Sequence, residues 1–182
     1  PRGPDNTNVF KKDDFSFIHN LLHITGEKTI QPFVKDEIVC LYNGEIYNYK
    51  EFGNYQSDGQ CLIDLYNKYG IEFTKKLDGE FALVLFDFKL NKIIISTDTF
   101  SCKPLYYSVN EKKIGFASYK SALIRLKLHN IIKLEANKTK VFDLKTFKLV
   151  TEFENYKFDL KQFKTNFVDW NIAFENSIKK RS

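Results

Sequence analysis

The stretch from Ile38 to Tyr49 reads IVCLYNGEIYNY and joins a buried strand to a polar end. Its first four residues, Ile38 to Leu41, are apolar, as in a short strand that is covered by other residues. Asn43, Gly44 and Glu45 then supply an amide side chain, an unhindered main-chain N–H and a carboxylate, which together can hold a polar substrate and stabilise an oxyanion. The alternative is a hairpin turn, because Asn-Gly between apolar segments is the strongest short-range turn signal. Taken alone, the dipeptide favours the turn.

Two further apolar runs predict an antiparallel hairpin inside a sandwich. Phe81 to Phe86 and Ile93 to Ile95 are joined through a turn at Leu90-Asn91-Lys92. Their continuous apolar character indicates that both faces of the hairpin are covered. Further strands are predicted at Phe15 to Ile18, Val141 to Leu144 and Leu149 to Phe153.

Helical spacing appears between these strands. Ser57 can cap a helix whose apolar residues recur from Cys61 to Tyr69, and Gly70 supplies the stop. Shorter helices fit residues 71–76 and 119–126, and a last helix fits residues 168–180. Helices alternating with antiparallel strands predict the α+β class.

The length and composition suffice for one well-cored domain, or for one domain plus an extension. The chain has 182 residues, of which 43% are hydrophobic and 16% aromatic, enough to build such a core. No apolar window approaches membrane length and no leader opens the sequence, so we expect a cytoplasmic protein without a membrane partner. The net charge of +5 comes from scattered lysines with only three arginines, which argues against a nucleic-acid partner.

The cysteines and histidines do not form a metal or disulfide pattern. Cys40, Cys61 and Cys102 are odd in number and have neither paired nor metal-ligand spacing, which argues against a disulfide framework and a zinc site. His19 and His23 are four residues apart, but on a strand this spacing does not chelate and no carboxylate completes a ligand set. We therefore predict structural roles for both histidines and no metal.

A set of ordered blocks resembles the glutaminase domain of the asparagine synthetases, the class II glutamine amidotransferases with an N-terminal cysteine nucleophile. The blocks are, in chain order, Arg2-Gly3-Pro4-Asp5, His19 to Gly26, Gln31-Pro32-Phe33, Asn43-Gly44-Glu45, Ser57-Asp58, Lys76 to Ala82, Asp98 to Tyr107 and Phe116-Ala117-Ser118. With this resemblance, the functional site is favoured over the turn.

The resemblance implies an α+β fold in four layers, an αββα sandwich of two antiparallel sheets between helical layers, here with its first strand missing. It implies that residues 1–154 are a glutamine amidotransferase type 2 domain and that residues 155–182 are a linker and the first helix of a synthetase domain. ATP and magnesium are expected only in that further domain. The chain contains no methionine, and the family's nucleophilic cysteine precedes the block at Arg2, so we expect a chain cut at both ends.

The same resemblance assigns roles to the site, with L-glutamine as the substrate. The oxyanion donors would be the Asn43 side chain and the Gly44 N–H. Glu45 and Asp58 would hold the substrate ammonium, a charge-assisted clamp that discriminates against analogues without the amine. The side of the pocket near the substrate carboxylate would be lined by Leu21, Leu22, His23, Ile24 and Thr25.

Leu21 departs from the family pattern, in which an arginine pairs with the substrate carboxylate. Leucine offers neither charge nor donor, so another basic residue or main-chain donors would have to replace the arginine for glutamine to bind. In the family the thiol nucleophile has its own α-amine as its base. An internal cysteine lacks that amine, so we expect this segment alone to be inactive.

Three functions remain open from the sequence. The chain is the glutaminase portion of an asparagine synthetase-like enzyme that supplies ammonia to an ATP-dependent synthetase domain, with a homodimer as a possible assembly. Alternatively, it is a degenerate domain without glutaminase activity, as in the β-lactam synthetases. The third alternative is an interaction scaffold whose exposed strand edges are covered by a partner chain.

Overall fold

A computed structural model describes residues 3–24, 27–161 and 166–181. The strands in these ranges are β1 Asn6–Lys12, β2 Phe15–Leu21, β3 Phe33–Lys35, β4 Ile38–Ile46, β5 Gly79–Asp87, β6 Lys92–Thr97, β7 Tyr106–Val109, β8 Ile114–Ala117, β9 Ile132–Lys133, β10 Lys138–Asp143 and β11 Leu149–Glu154. The α-helices are α1 Cys61–Tyr69, α2 Lys120–Arg125 and α3 Val168–Arg181, and 3-10 turns span Tyr49–Glu51, Asp58–Gln60 and Gly70–Lys76.

These strands form three antiparallel sheets. The largest has six strands in the order β11-β10-β6-β5-β4-β3, and β1 and β2 form a separate hairpin. The third sheet has the order β8-β7-β9. Every strand pair is antiparallel, so the predicted α+β class with antiparallel sheets is confirmed.

Two hydrophobic cores cover the two faces of the six-stranded sheet. On one face, Leu62 of α1 and the following Phe73 pack in a cluster with Leu83 of β5. On the other face, Phe17 of β2 packs in a cluster with Phe86 of β5. The central strands are therefore buried on both faces, as their continuous apolar runs predict.

Strand β4 is longer than the sequence predicts. It does not end at Leu41 but runs to Ile46, and β5 pairs with it over its whole length, with Asn43 opposite Ala82 and Gly44 opposite Phe81. The hairpin-turn alternative for Asn43-Gly44 is therefore wrong, because both residues lie inside a strand.

Helix α1 begins and ends where its signals predict. Ser57 and Gln60 form a reciprocal capping box at the preceding 3-10 turn, and Gly70 adopts a left-handed φ of 60° directly after Tyr69. The helix predicted for residues 71–76 is the 3-10 turn Gly70–Lys76. Leu123 of α2 is 1% exposed and lies so close to Gly115 of β8 that an added Cβ there would touch it. Helix α2 therefore packs on the β8-β7-β9 sheet.

Asp98 and Asn137 form hydrogen bonds that hold the chain in place where it leaves the six-stranded sheet. The Asp98 carboxylate accepts the Phe81 N–H at 3.0 Å, while its main-chain oxygen accepts the Asn137 N–H at 2.9 Å. The Asn137 side chain in turn accepts the Tyr156 N–H at 2.9 Å and donates to the Tyr156 oxygen at 2.7 Å. Residues 155–156 are therefore held to the sheet.

Helix α3 confirms the predicted last helix, and it carries exposed apolar side chains. Trp170 and Phe174 stack with ring centroids 5.3 Å apart yet remain 61% and 52% exposed. Lys180 forms an ion pair with Asp78 at 2.7 Å. Among the described residues, no helix has the length and apolar character needed to cross a membrane.

Candidate active site at the open edge of strand β4

The pairing of β5 determines which way the Gly44 N–H points. Both main-chain groups of Phe81 are bound to Asp98: its N–H donates to the Asp98 carboxylate at 3.0 Å, and its oxygen accepts the Asp98 N–H at 2.9 Å. In an antiparallel sheet, a residue whose N–H and C=O both point to one side exchanges no hydrogen bonds with the residue opposite it on the other side. Gly44, which is opposite Phe81, therefore directs its N–H away from β5, toward the other edge of β4.

That edge is open beyond Cys40, because β3 pairs only with Ile38 to Cys40. Alternate N–H groups of β4 point the same way along it. The Tyr42 N–H donates to Gln31 Oε1 at 2.8 Å, and the Ile46 N–H donates to Asp58 Oδ2 at 2.8 Å. The Gly44 N–H lies between these two, and no side chain or loop residue in the described ranges accepts it. A substrate oxygen could therefore bind there.

The Asn43 side chain lies next to this N–H. Strand alternation puts it on the same face as Val39 and Leu41, toward the core shared with β2. It is half-buried, and it forms no hydrogen bond within the parts of the chain that the structure describes. Asn43 and Gly44 thus provide two adjacent donors, the arrangement that an oxyanion requires.

Asp58 is brought to the same edge by the 3-10 turn that precedes α1. Its Oδ2 accepts the Ile46 N–H at 2.8 Å, while its Oδ1 accepts the Tyr42 hydroxyl at 2.5 Å and the Gly59 N–H at 2.9 Å. The bonds to Ile46 and Tyr42 join residues 12 and 16 positions apart in sequence. The carboxylate is thereby fixed beside the strand that carries Asn43 and Gly44.

Glu45 supplies a second carboxylate on the same strand. It is half-buried and lies opposite Glu80 of β5. Glu80 has an ion-pair partner, Lys103, at 3.4 Å, whereas Glu45 has no ion-pair partner among the residues that can be described. Its charge is therefore available to a cationic group of a ligand.

The segment expected to bind the substrate carboxylate lies at the end of β2. Leu21 is half-buried and shares its strand face with the buried Phe17 and with His19. Leu22 and Ile24 are 58% and 68% exposed, and His23 is exposed, with its N–H donating to Asp5 Oδ2 at 2.8 Å. Thr25 lies outside the described residues. Leu21, which the resemblance aligns with an arginine of the family, thus faces inward on β2.

The sequence did not assign His19 and Gln31 to this edge. Gln31 is 5% exposed, accepts the Tyr42 N–H through its side chain and accepts Asn8 Nδ2 through its main-chain oxygen at 3.0 Å. His19 is hydrogen-bonded to the Tyr42 main chain, but burial has the larger effect and lowers the pKa of the imidazole. The one available signal was their position in the resemblance blocks.

We predict that His19 makes stability fall in mild acid. Burial lowers the pKa of His19 in the folded state. Below the unfolded-state pKa of about 6.5, the unfolded chain is therefore protonated at His19 to a greater extent than the folded chain, which favours unfolding. Between about pH 7.5 and about pH 5.5, the Tm of the wild-type chain should decrease more than that of His19→Gln, whose amide can still donate to Tyr42. Equal decreases, measured by circular dichroism, would contradict this linkage.

None of the three cysteines is activated as a nucleophile by its surroundings. Cys40 and Cys61 are fully buried, and burial raises the pKa of Cys40 well above its usual value and that of Cys61 to about 12. Cys102 is exposed, but partial desolvation and then Asp98 still raise its pKa. Since the thiolate is the reactive form, all three are poor nucleophiles at neutral pH.

Two surface cavities lie beside α1 and not at this edge. One is lined in part by Ile30, Val34 and Lys35, the other in part by Tyr55 and Tyr69, and neither is lined by Asn43 or Gly44. Within the described ranges, no group of three or more His, Cys, Asp or Glu residues could hold a metal ion. The strongest candidate site is therefore the pair of donors on β4 together with the carboxylates of Glu45 and Asp58.

Comparison with solved structures supports the fold. Glutamine phosphoribosylpyrophosphate amidotransferase from B. subtilis, complexed with ADP and GMP, superposes with a TM-score of 0.62 over 79% of this chain and 35% of that chain, at 16% identity. At this identity the similarity concerns the fold alone. The chain thus shares its α+β fold with this amidotransferase over the superposed part.

Sequence comparison shows the family. The family model described as "Glutamine amidotransferase domain" matches residues 1–163. Asparagine synthetase [glutamine-hydrolyzing] of Gallus gallus is 33% identical over 99% of this chain and 39% of its own length, and that of Bos taurus is 30% identical with the same coverage. The chain thus spans about two fifths of the length of these relatives. It belongs to the class II glutamine amidotransferase domain family and is related to the glutaminase domains of the asparagine synthetases.

Proposed function

We propose that this chain is the glutaminase portion of an asparagine synthetase-like amidotransferase, which binds glutamine and supplies ammonia to an ATP-dependent synthetase domain. The observation that carries the proposal is the Gly44 N–H. It lies on the open edge of β4 between two N–H groups that are bound to Gln31 and Asp58. Beside it is the Asn43 amide, which forms no hydrogen bond to the residues that the structure describes.

In the proposed reaction, the thiol of an N-terminal cysteine adds to the side-chain carbonyl of glutamine. The α-amine of that cysteine accepts the thiol proton and later gives a proton to the departing ammonia. The negative charge that develops on the carbonyl oxygen is stabilised by the Asn43 side chain and the Gly44 N–H. Collapse of this tetrahedral adduct breaks the carbon–nitrogen bond, releases ammonia and leaves a thioester. Water then hydrolyses the thioester to glutamate and regenerates the thiol.

The two carboxylates of the site would hold the α-ammonium of glutamine. Within the described ranges, Glu45 has no ion-pair partner and Asp58 Oδ2 accepts only the Ile46 N–H, which leaves Oδ2 one free lone pair. An ammonium group donates in several directions, so it can bind both carboxylates together.

The proposal divides the molecule as the sequence suggests. Residues 1–154 would form the glutaminase domain, an αββα sandwich in which α1 covers the six-stranded sheet and α2 covers the sheet of β7 to β9. Residues 155–182 would be the linker and first helix of the synthetase domain, where ATP and magnesium would bind. The exposed apolar side chains of α3 support this division, since a helix of the same domain would bury them.

A degenerate, non-hydrolysing domain is the second candidate, and Leu21 is the observation that favours it. Leu21 faces inward on β2, where the family pattern has an arginine for the substrate carboxylate. A carboxylate without a cation or donors is costly to desolvate. If nothing replaces the arginine, glutamine would not bind.

Glutamate formation by the full-length protein decides between the two candidates. The protein is expressed with its native N-terminus and incubated with glutamine, and glutamate is measured with and without ATP and aspartate. Turnover of glutamine supports the glutaminase. If no glutamate is formed and calorimetry detects no glutamine binding, the proposal is rejected in favour of the degenerate domain.

A further inference from the structure

Tyr42 is held in one orientation by its neighbours. It is 7% exposed and stacks on Phe33, with ring centroids 6.2 Å apart. A Cβ at Gly59 would lie 2.3 Å from the Tyr42 ring and 2.6 Å from that of Phe33, so the two rings pack directly against the main chain of residue 59. The ring of Tyr42 therefore has little freedom to move.

This orientation aims the Tyr42 hydroxyl at Asp58. The hydroxyl oxygen lies 2.5 Å from Asp58 Oδ1. Burial, and then the negative charge of Asp58, raise the pKa of Tyr42 far above its usual value, so the hydroxyl stays protonated and is always the donor. Together with the N–H groups of Ile46 and Gly59, it fixes both carboxylate oxygens.

We propose that Tyr42 is a positioning residue, which orients the Asp58 carboxylate for the α-ammonium of the substrate. The inference rests on the proposed function and extends it, because it makes the Tyr42 hydroxyl responsible for discriminating amino acids from their deaminated analogues. The Tyr42 hydroxyl, the N–H groups of Ile46 and Gly59 and, at a longer 3.4 Å, the Ser57 hydroxyl hold Asp58. The remaining lone pair of Oδ2 then lies next to the strand that carries Gly44 and Glu45.

The Tyr42→Phe variant removes only this hydroxyl. Asp58 loses its shortest hydrogen bond and gains freedom to rotate, so the ammonium subsite is no longer preorganised. A hydrogen bond to a charged group contributes enough for the KM for glutamine to rise about 10-fold or more. The kcat should be unchanged, because the oxyanion donors and the nucleophile are untouched.

The chain contains a matched control in Tyr66. Its hydroxyl donates to Asp87 at 2.7 Å, and it is 4% exposed. Tyr66 and Asp87 thus form a second buried tyrosine–aspartate pair in the same domain, away from the Gly44 edge. Like Tyr42→Phe, Tyr66→Phe removes one hydrogen bond to an aspartate, so the two variants should lower the Tm to a similar extent. Tyr66→Phe should leave the KM for glutamine unchanged.

The experiment compares wild-type, Tyr42→Phe and Tyr66→Phe full-length proteins with two substrates. These are glutamine and 4-carbamoylbutanoate, which is glutamine without its α-amino group. We expect Tyr42→Phe to raise the KM for glutamine while leaving kcat/KM for the deaminated amide as in the wild type. The inference is overturned if the KM for glutamine is unchanged, or if Tyr42→Phe impairs both amides equally.

Failure of the proposed function gives a different result. If the wild type forms no glutamate but calorimetry detects glutamine binding, the same comparison is made on the Kd values of the three proteins. If Tyr42→Phe then weakens the binding of glutamine but not that of the deaminated amide, the positioning role is supported while glutaminase activity is rejected. If the wild type binds neither amide, both proposals are rejected.

Discussion

Replacing Gly44 with alanine is expected to destabilise the 182-residue chain by about 2–6 kcal/mol, because strain and overpacking act together. Gly44 has a φ of 145°, and an added Cβ would lie 1.9 Å from the Glu80 main-chain oxygen and 2.7 Å from the Phe81 Cα. Neither atom can move without shifting β5. Since domains are stable by only about 5–15 kcal/mol, the loss should be evident in urea unfolding.

Gly70→Ala is the control for this substitution. Gly70 also has a positive φ, 60°, but an added Cβ would meet nothing within 4 Å. With φ 60° and ψ −148°, Gly70 lies in a backbone region that is almost exclusive to glycine, so its replacement should cost only backbone strain, about 1–3 kcal/mol. If the two variants have the same free energy of unfolding, the close approach of β4 and β5 at Gly44 does not destabilise the alanine variant beyond backbone strain.

Asn43→Ala in the full-length protein is expected to lower glutamine turnover by about a hundredfold or more, the usual cost of losing one oxyanion donor. The decrease should be in kcat, since the side chain would bind the oxygen most strongly once negative charge develops there. Steady-state glutamate formation measures it. The KM should change little, because Glu45 and Asp58 remain in place.

Two variants test whether the effect belongs to the site. Asn43→Asp keeps the shape of the side chain but removes its donor and adds a negative charge, so it should be at least as damaging as alanine. Asn67→Ala changes an exposed asparagine on α1 and should leave kcat at the wild-type level. An Asn43→Ala protein with normal kcat would exclude Asn43 as an oxyanion donor.

The sequence predicted the central strands because their apolar runs are continuous. Phe81 to Phe86 and Ile93 to Ile95 lie within β5 and β6 and are covered on both faces, so local pattern and tertiary environment agree. Strand β1 was not predicted. Its residues Asn6 to Lys12 are half-buried at alternate positions only, and the polar half of that pattern is also typical of a loop.

The Asn43-Gly44 dipeptide shows where local signals fail. Its turn propensity is real, but the pairing of Gly44 with Phe81 depends on a strand more than thirty residues away. The contacts of Asp58 with Tyr42 and Ile46 are likewise products of tertiary packing. The resemblance could point to Asp58, whereas the supporting roles of Gln31 and His19 at the open edge appear only in three dimensions.

The hydrogen bonds from Asn137 to Tyr156 and from Asn137 to Asp98 fix the position and direction in which the chain leaves the six-stranded sheet. A segment that starts from a fixed point explores a smaller volume than one that starts from a frayed strand end, so the residues after Tyr156 are kept at a higher effective concentration near the surfaces around that point. Because the Asp98 carboxylate also binds the Phe81 N–H, one residue connects the segment at Tyr156 with the part of β5 that lies opposite Gly44.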